Sequence, residues 1–343
     1  MKPGASEVDR GRATDSGLPS PESRTPSPAK FYVLGIDAGG TKTVCQLADE
    51  NGTIIAEARG SGANLQAAGE LQVEKVLHDV MEDAIGERDI RPAVICLGIA
   101  GVDRQDDAAI VRGIMKRIGF KARVVVVNDA LVALEAGIPG EPGVVIISGT
   151  GSIAYGRNDA GEAARAGGWG YVLGDEGSGY WIGRAALRAV LRESDQRGHK
   201  TALTPLLLQH FGVAQAQNLL HEVYHTNLKP SAIGALAECV QQAFGDGDEV
   251  AIGILRSAAD ELEGSGLSVA RRLGMIGQTF TFLLSGGIFR AVPWLKDELQ
   301  RRLPLSARGT TARLLDREPA AGAVTLALQE ARGSARIPQY NLH

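Results

Sequence analysis

The chain has 343 residues, 44% of them hydrophobic and 22% charged, with a formal net charge of −4. That length supports two domains with real cores, and the mild acidity gives no electrostatic footprint for nucleic acid or an anionic membrane. No apolar run nears the roughly 18 residues that span a bilayer, and Cys45, Cys96 and Cys239 lack the spacing of a disulfide framework or zinc cluster.

Residues 1–30 are rich in Pro, Ser, Gly and charge, with almost no large apolar side chains, so a disordered tail is expected there. They carry no apolar core of a secretory signal, and the cytoplasm is the expected location. Order begins at Phe31. FYVLGID, AGGTKT and VCQLAD read as strand, turn and strand, and Asn51-Gly52 turns the chain into a third strand, TIIAEARG. Residues 70–87 have helical spacing, VICLGIAG is a strand, a helix lies around Ile110–Ile118, and VVVVND (124–129) is a strand leading into another helix. The turn-rich IPGEPG (138–143) marks a domain boundary.

The second half begins the same way. VVIISGTGSIAYG (144–156) is again strand, Gly/Thr/Ser turn and strand, with Asn158–Gly161 as the next hairpin turn. Residues 180–275 are mainly amphipathic helices, FTFLLSGGI (280–288) returns to the sheet, and AAGAVTLALQEA (320–331) is a closing helix of small residues. One strand–turn–strand unit in each half implies a duplicated α/β architecture whose glycine turns share a cleft.

Five constellations carry chemistry. In Asp37-Ala38-Gly39-Gly40-Thr41-Lys42-Thr43 the glycines let backbone N–H groups approach a phosphate, and an aspartate at a strand end suits the water shell of Mg²⁺. It lacks the spacing of a Walker A loop, and a plain tight hairpin is the alternative. Ser148-Gly149-Thr150-Gly151-Ser152 repeats that turn in the second half, and the pair together favours phosphate binding. Asn128-Asp129 ends a buried strand, where Asp129 suits a general base and a helix N-cap suits the pair equally well. The block from Gly167 to Trp181 packs Trp169, Asp175, Glu176 and many glycines together; it fits contact with a polar ligand, or a surface loop with Trp169 as a core plug. Ser285-Gly286-Gly287 could bring bare backbone to a flat ring or a phosphate. His221-Glu222-Val223-Tyr224-His225 matches H-E-x-x-H, but with no suitable third ligand downstream it reads as a solvated helix face.

Taken in order, DAGGTKT, VVVVND, VVIISGTGS, GGWGYVLGDEGSGYWIG, FLLSGGIFRAVP and AAGAVTLAL resemble the N-acetylglucosamine kinase branch of the BadF/BadG/BcrA/BcrD ATPase family. The resemblance spans about residues 31–331 and implies an α/β protein with two RNase H-like (actin-like ATPase) domains flanking a nucleotide cleft. The expected domains are 31–142, closed by a helix over 318–333, and 143–317 with a helical insertion. The implied reaction is transfer from ATP, with Mg²⁺, to the 6-hydroxyl of an amino sugar: N-acetylglucosamine first, glucosamine or N-acetylmuramic acid as alternatives. The resemblance assigns Asp129 as catalytic base and Asp37, Gly39, Gly40, Thr41 and Thr43 to the first phosphate motif, with Asp37 serving the metal. It assigns Thr150 and Gly151 to the second motif, Gly286 and Gly287 to the adenosine, and Asn64, Trp169 and Asp175 to the sugar. A homodimer is a further expectation. Two rivals are an ATPase that activates a dehydratase through an iron–sulfur cluster, for which the cysteines are too dispersed, and a non-catalytic sugar sensor.

Overall fold

The structure, a computed structural model, describes residues 30–65, 69–102, 105–226 and 228–340. The tail expected over residues 1–30 lies, but for Lys30, outside them. From Phe31 onward the chain forms one compact unit.

The opening meander is β1 (Tyr32–Ala38), β2 (Lys42–Asp49) and β3 (Ile54–Ser61). Helix α1 (Glu70–Ile85) buries Val73, Val76, Leu77 and Val80 and leads to β4 (Pro92–Ile99). Then come α2 (Gln105–Ile118), β5 (Arg123–Asn128) and α3 (Asp129–Gly137). Strands β6 (Gly143–Ser148), β7 (Ser152–Arg157) and β8 (Glu162–Gly167) repeat the meander. Nine helices and two strands follow among the described residues: α4 (Gly179–Ser194), α5 (Leu203–Phe211), α6 (Leu219–His225), α7 (Pro230–Ala235), α8 (Ala237–Gly245), α9 (Glu249–Arg272), β9 (Thr281–Ser285), α10 (Ile288–Ala291), α11 (Pro293–Ser306), β10 (Thr311–Leu314) and α12 (Ala320–Ala331). A two-residue strand, β11 (Gln339–Tyr340), adds to the edge of β8.

The first sheet runs β3-β2-β1-β4-β5 and the second β10-β9-β6-β7-β8-β11. Read from β8, the second repeats the order of the first, with antiparallel pairing inside each meander and parallel pairing to the two added strands. This is the duplicated RNase H-like architecture. The parallel strands matter most for the site, because their carboxyl ends lie along one edge of each sheet, where open α/β sheets take ligands.

Three apolar cores stack these elements. One lies between the first sheet and α1 and α2, and contains Leu34, Ile36, Leu77 and Ile114. The middle core joins both sheets through α3 and α12: Val33 and Val94 meet Leu131, Val324 and Ala327, and Val145, Tyr155 and Leu283 close it from the second sheet. The third packs the other face of the second sheet on the helices between α4 and α11. Cys45 belongs to the first core and Cys96 to the middle one, on opposite faces of the first sheet, so these thiols do not gather. The H-E-x-x-H segment is the exposed end of α6, with the His221 and His225 rings stacked at 5.2 Å. Among the described residues no helix is long and apolar enough to cross a membrane.

At the back of the molecule α3 is fastened to the second sheet by a buried ion pair. Arg157 of β7 bonds Glu135, and its Nε and Nη2 donate to Glu141 O and Ile138 O, both at 2.8 Å. Burial pushes the Arg157 guanidinium down to about 10, still charged at neutral pH.

Candidate active site

Each meander turn is closed by one short bond: Gly39 N–H donates to Lys42 O at 3.0 Å, and Gly149 N–H to Gly151 O at 2.9 Å. The two turns meet, with the Thr41 and Thr150 hydroxyls 3.0 Å apart. Gly40 and Gly149 have no atom within 4 Å on their side-chain face, so bare backbone is open there. The segment after β3 packs on the first turn, with Ala63 N–H donating to Gly39 O at 3.1 Å, and this brings the half-buried Asn64 beside it.

Asp37 stands near the end of β1, paired with Gly98 of β4, and Ile99 of β4 is paired with Asn128 of β5. Asp37 and Asp129 therefore stand at the same sheet edge, two strand spacings or about 10 Å of backbone apart. Asn128 and Asp129 divide the two readings of their sequence. The Asn128 side chain caps α3, accepting from Ala130 N–H at 2.8 Å, and Asp129 is the first helical residue. A carboxylate there is favoured by the helix dipole.

Asp37 is 7% exposed, and its carboxyl is pushed up to about 8. Burial is the largest cause, followed by the charge of Asp129; Lys42 pulls the other way and Glu318 adds to the rise. Lys42 Nζ reaches Glu318 at 2.9 Å, and Arg59 joins the same carboxylate at 3.0 Å. Burial works against ionisation of Glu318, yet Lys42 and Arg59 hold it below the usual carboxylate range. Glu318, immediately before α12, is thus part of the electrostatics of the site, and no local motif marks it.

The glycine-rich block wraps the second turn from behind. Ser148 Oγ donates to Gly177 O at 2.9 Å, Ser152 Oγ to Glu176 O at 2.7 Å, and Gly179 N–H to Gly149 O at 2.8 Å. Asp175 adopts a left-handed φ of 59° and lies against Gly151, where a Cβ would meet its carboxylate at 2.5 Å. Its carboxyl is raised by burial, against bonds accepted from the Ser152 and Gly170 backbone, with Glu176 adding to the rise. Asp175 therefore ties the loop to the phosphate turn. Trp169 is 60% exposed, which rules out the core plug, and the Arg165 guanidinium covers its ring at 4.4 Å.

Gly286 follows β9, next to β6, and approaches Ser148 so closely that a Cβ would sit 2.1 Å from its carbonyl oxygen; its φ of 115° also needs glycine. Gly287 beside it is open. Thr43 differs from the expectation of a phosphate donor. It is fully buried, and its hydroxyl donates to Ser61 O at 2.8 Å, because strand alternation turns it into the sheet while Thr41 stays in the turn.

Comparison with known proteins gives the family. The N-acetylmuramic acid/N-acetylglucosamine kinase of Clostridium acetobutylicum is 34% identical over 302 residues, covering 87% of this chain and 99% of that protein. The N-acetyl-D-glucosamine kinase of Dictyostelium discoideum is 34% identical over 318 residues, covering 88% and 98%. Among solved structures, a Chromobacterium violaceum protein assigned as an N-acetylglucosamine kinase superposes with a TM-score of 0.70 at 28% identity, covering 87% of this chain and 99% of that one. The profile of one family matches residues 34–327, from β1 into α12, and takes in both threonine turns, Asp129 and the glycine pair after β9. The chain belongs to the BadF/BadG/BcrA/BcrD ATPase family.

Proposed function

We propose that this chain is an amino-sugar kinase that transfers the γ-phosphoryl group of ATP to the 6-hydroxyl of N-acetylglucosamine. The observation that carries the reading is the contact of Thr41 with Thr150, two phosphate-type turns from different sheets, with the carboxyls of Asp37 and Asp129 near enough that the charge of Asp129 is felt at Asp37. Gly39, Gly40 and Thr41 from one side, and Thr150 and Gly151 from the other, hold the triphosphate by backbone and hydroxyl donors. Gly286 and Gly287 lie under the adenosine. Asn64, Trp169 and Asp175 bound the sugar.

Asp129 accepts the proton of the 6-hydroxyl as that oxygen bonds to the γ-phosphorus and the bond to the β-phosphate oxygen breaks. Positioning of the two reactants supplies most of the remaining rate, and donors aimed at the phosphoryl oxygens stabilise the charge that develops there. Asp37 is the residue that would hold Mg²⁺. A carboxyl kept protonated by burial, and further by a neighbouring aspartate, is one that a cation would ionise, and Mg²⁺ takes one or two carboxylates plus phosphate oxygens. When bound, Mg²⁺ supplies charge neutralisation on the phosphates. The two lobes are taken as 31–142 with the closing helix and 143–317, and closure of one on the other excludes water as a competing acceptor. The cytoplasm as location and a homodimer as assembly belong to the same reading.

The deciding experiment is a coupled assay of ADP release against a panel of N-acetylglucosamine, glucosamine and N-acetylmuramic acid. Release that requires sugar and is fastest with N-acetylglucosamine supports the proposal. ADP release indifferent to every sugar would indicate an ATPase switch and overturn it.

A further inference from the structure

A cavity of about 520 Å³ lies away from the threonine turns, between the second half of α4, the loop after it and the start of α9. Four of its lining residues are Arg188, Arg192, Arg197 and His199, while Val250 and Ile254 of α9 form an apolar wall. Among the described lining residues none is acidic, in a chain whose net charge is −4.

Arg188 and Arg192 are four residues apart on α4, so their side chains share a face, an arrangement unfavourable to a helix when the charges are alike. The helix dipole favours Arg192, in the last turn, but its reach ends before Arg188. The loop is folded back over this face. Arg197 N–H donates to Arg192 O at 2.8 Å, and Arg192 Nη2 donates to Arg197 O at 2.9 Å, which brings Arg197 and His199 to the same hollow. Nearby carboxylates are already engaged. Glu193 accepts from Thr201 N–H and the Thr204 hydroxyl, and Asp195 pairs with Arg197 at the rim. Among the described residues no acidic side chain pairs with Arg188 or Arg192.

The cavity is separate from the nucleotide groove. The first residue of α4, Gly179, is bonded to the second phosphate turn, and Arg188 stands nine residues further along, roughly 13 Å up the axis. Guanidinium groups bind phosphate oxygens in pairs, and an aliphatic wall suits the C–H face of a small ring. We propose that this cavity is a second ligand site, one that takes the phosphate ester of a small molecule such as a hexose phosphate. The proposal does not depend on the kinase reading.

The test is calorimetric titration of glucose 6-phosphate into the full chain with the nucleotide groove saturated by a non-hydrolysable ATP analogue. Saturable binding at one site per chain is expected, weakened at least tenfold, about 1.4 kcal/mol, in the double variant Arg188→Gln/Arg192→Gln. That variant should bind the ATP analogue as the parent does, which also shows that it folds. Inorganic phosphate, titrated in parallel, should bind more weakly than the ester. Absence of saturable binding up to about 10 mM ester, or binding indifferent to the double variant, overturns the site. Phosphate binding as tightly as the ester overturns its assignment to esters.

Discussion

The hydroxyls of Thr41 and Thr150 lie 3.0 Å apart although 109 residues separate them in the chain. Each lies in the turn of its own meander, so their contact joins the two repeats. In the proposed function both hydroxyls serve as donors to the triphosphate. Thr150→Val keeps the shape and removes one donor; loss of a hydrogen bond to a charged group, about 1.5–3 kcal/mol, should raise the KM for ATP tenfold or more. Steady-state kinetics at saturating sugar will show it, with the KM for sugar little changed.

Asp129→Asn should lower kcat by about two decades or more, the range for a positioned base, while the affinities for ATP and sugar stay within a small factor. The cap on α3 is Asn128, so the substitution leaves the helix start intact. Turnover equal to the parent's would remove Asp129 from the chemistry.

The raised carboxyl of Asp37 makes stability depend on pH in a definite direction. In the folded chain it ionises at about 8 rather than 3.8. Between those values the folded state keeps a proton that the unfolded chain has lost, so stability falls as pH rises through that window. Asp37→Asn abolishes this dependence. The metal-free variant should be more stable than the parent at pH 8, by up to a few kcal/mol at about 1.4 kcal/mol per unit, and equal to it near pH 4. Thermal unfolding across pH, in chelator, measures the difference, and the variant should have lost its activity.

The Arg157–Glu135 pair is buried, and the guanidinium also serves two backbone carbonyls. Arg157→Met leaves the Glu135 carboxylate in the interior without its cation, at a cost of about 3–5 kcal/mol. Adding Glu135→Leu should recover much of that loss, since an apolar pair of similar volume is tolerated there. Denaturant titration of the single and double variants tests both statements.

The sequence made the duplication legible because each repeat announces itself locally, as an apolar strand, a glycine turn and a second strand. Strand order followed from the duplication once the two sheets could be compared. Other features had no local signature. Glu318 reaches Lys42 across 276 positions, and nothing around Glu318-Pro319 marks that meeting. β10 is only TARL, too short and too polar to stand out as a strand. The orientation of Thr43 turned on strand register, and a hydroxyl next to a phosphate-type turn looks the same in sequence whether it faces the groove or the sheet. Asp175 was visible as a carboxylate among glycines, but its left-handed backbone and its bonds to Ser152 and Gly170 depend on how the loop folds over β7.

The inner face of the first sheet is covered by α12, whose Ala323, Val324 and Ala327 pack with Val33, Val94 and Cys96. Those partners lie more than 220 positions earlier. During translation the sheet assembled from the first hundred or so residues must wait, with this apolar face covered only in part by α3, until residues 320–331 have been made. The nascent chain is therefore exposed to chaperones and to aggregation over a long stretch of synthesis, and a chain cut short before residue 320 carries a sheet whose face α3 covers only in part.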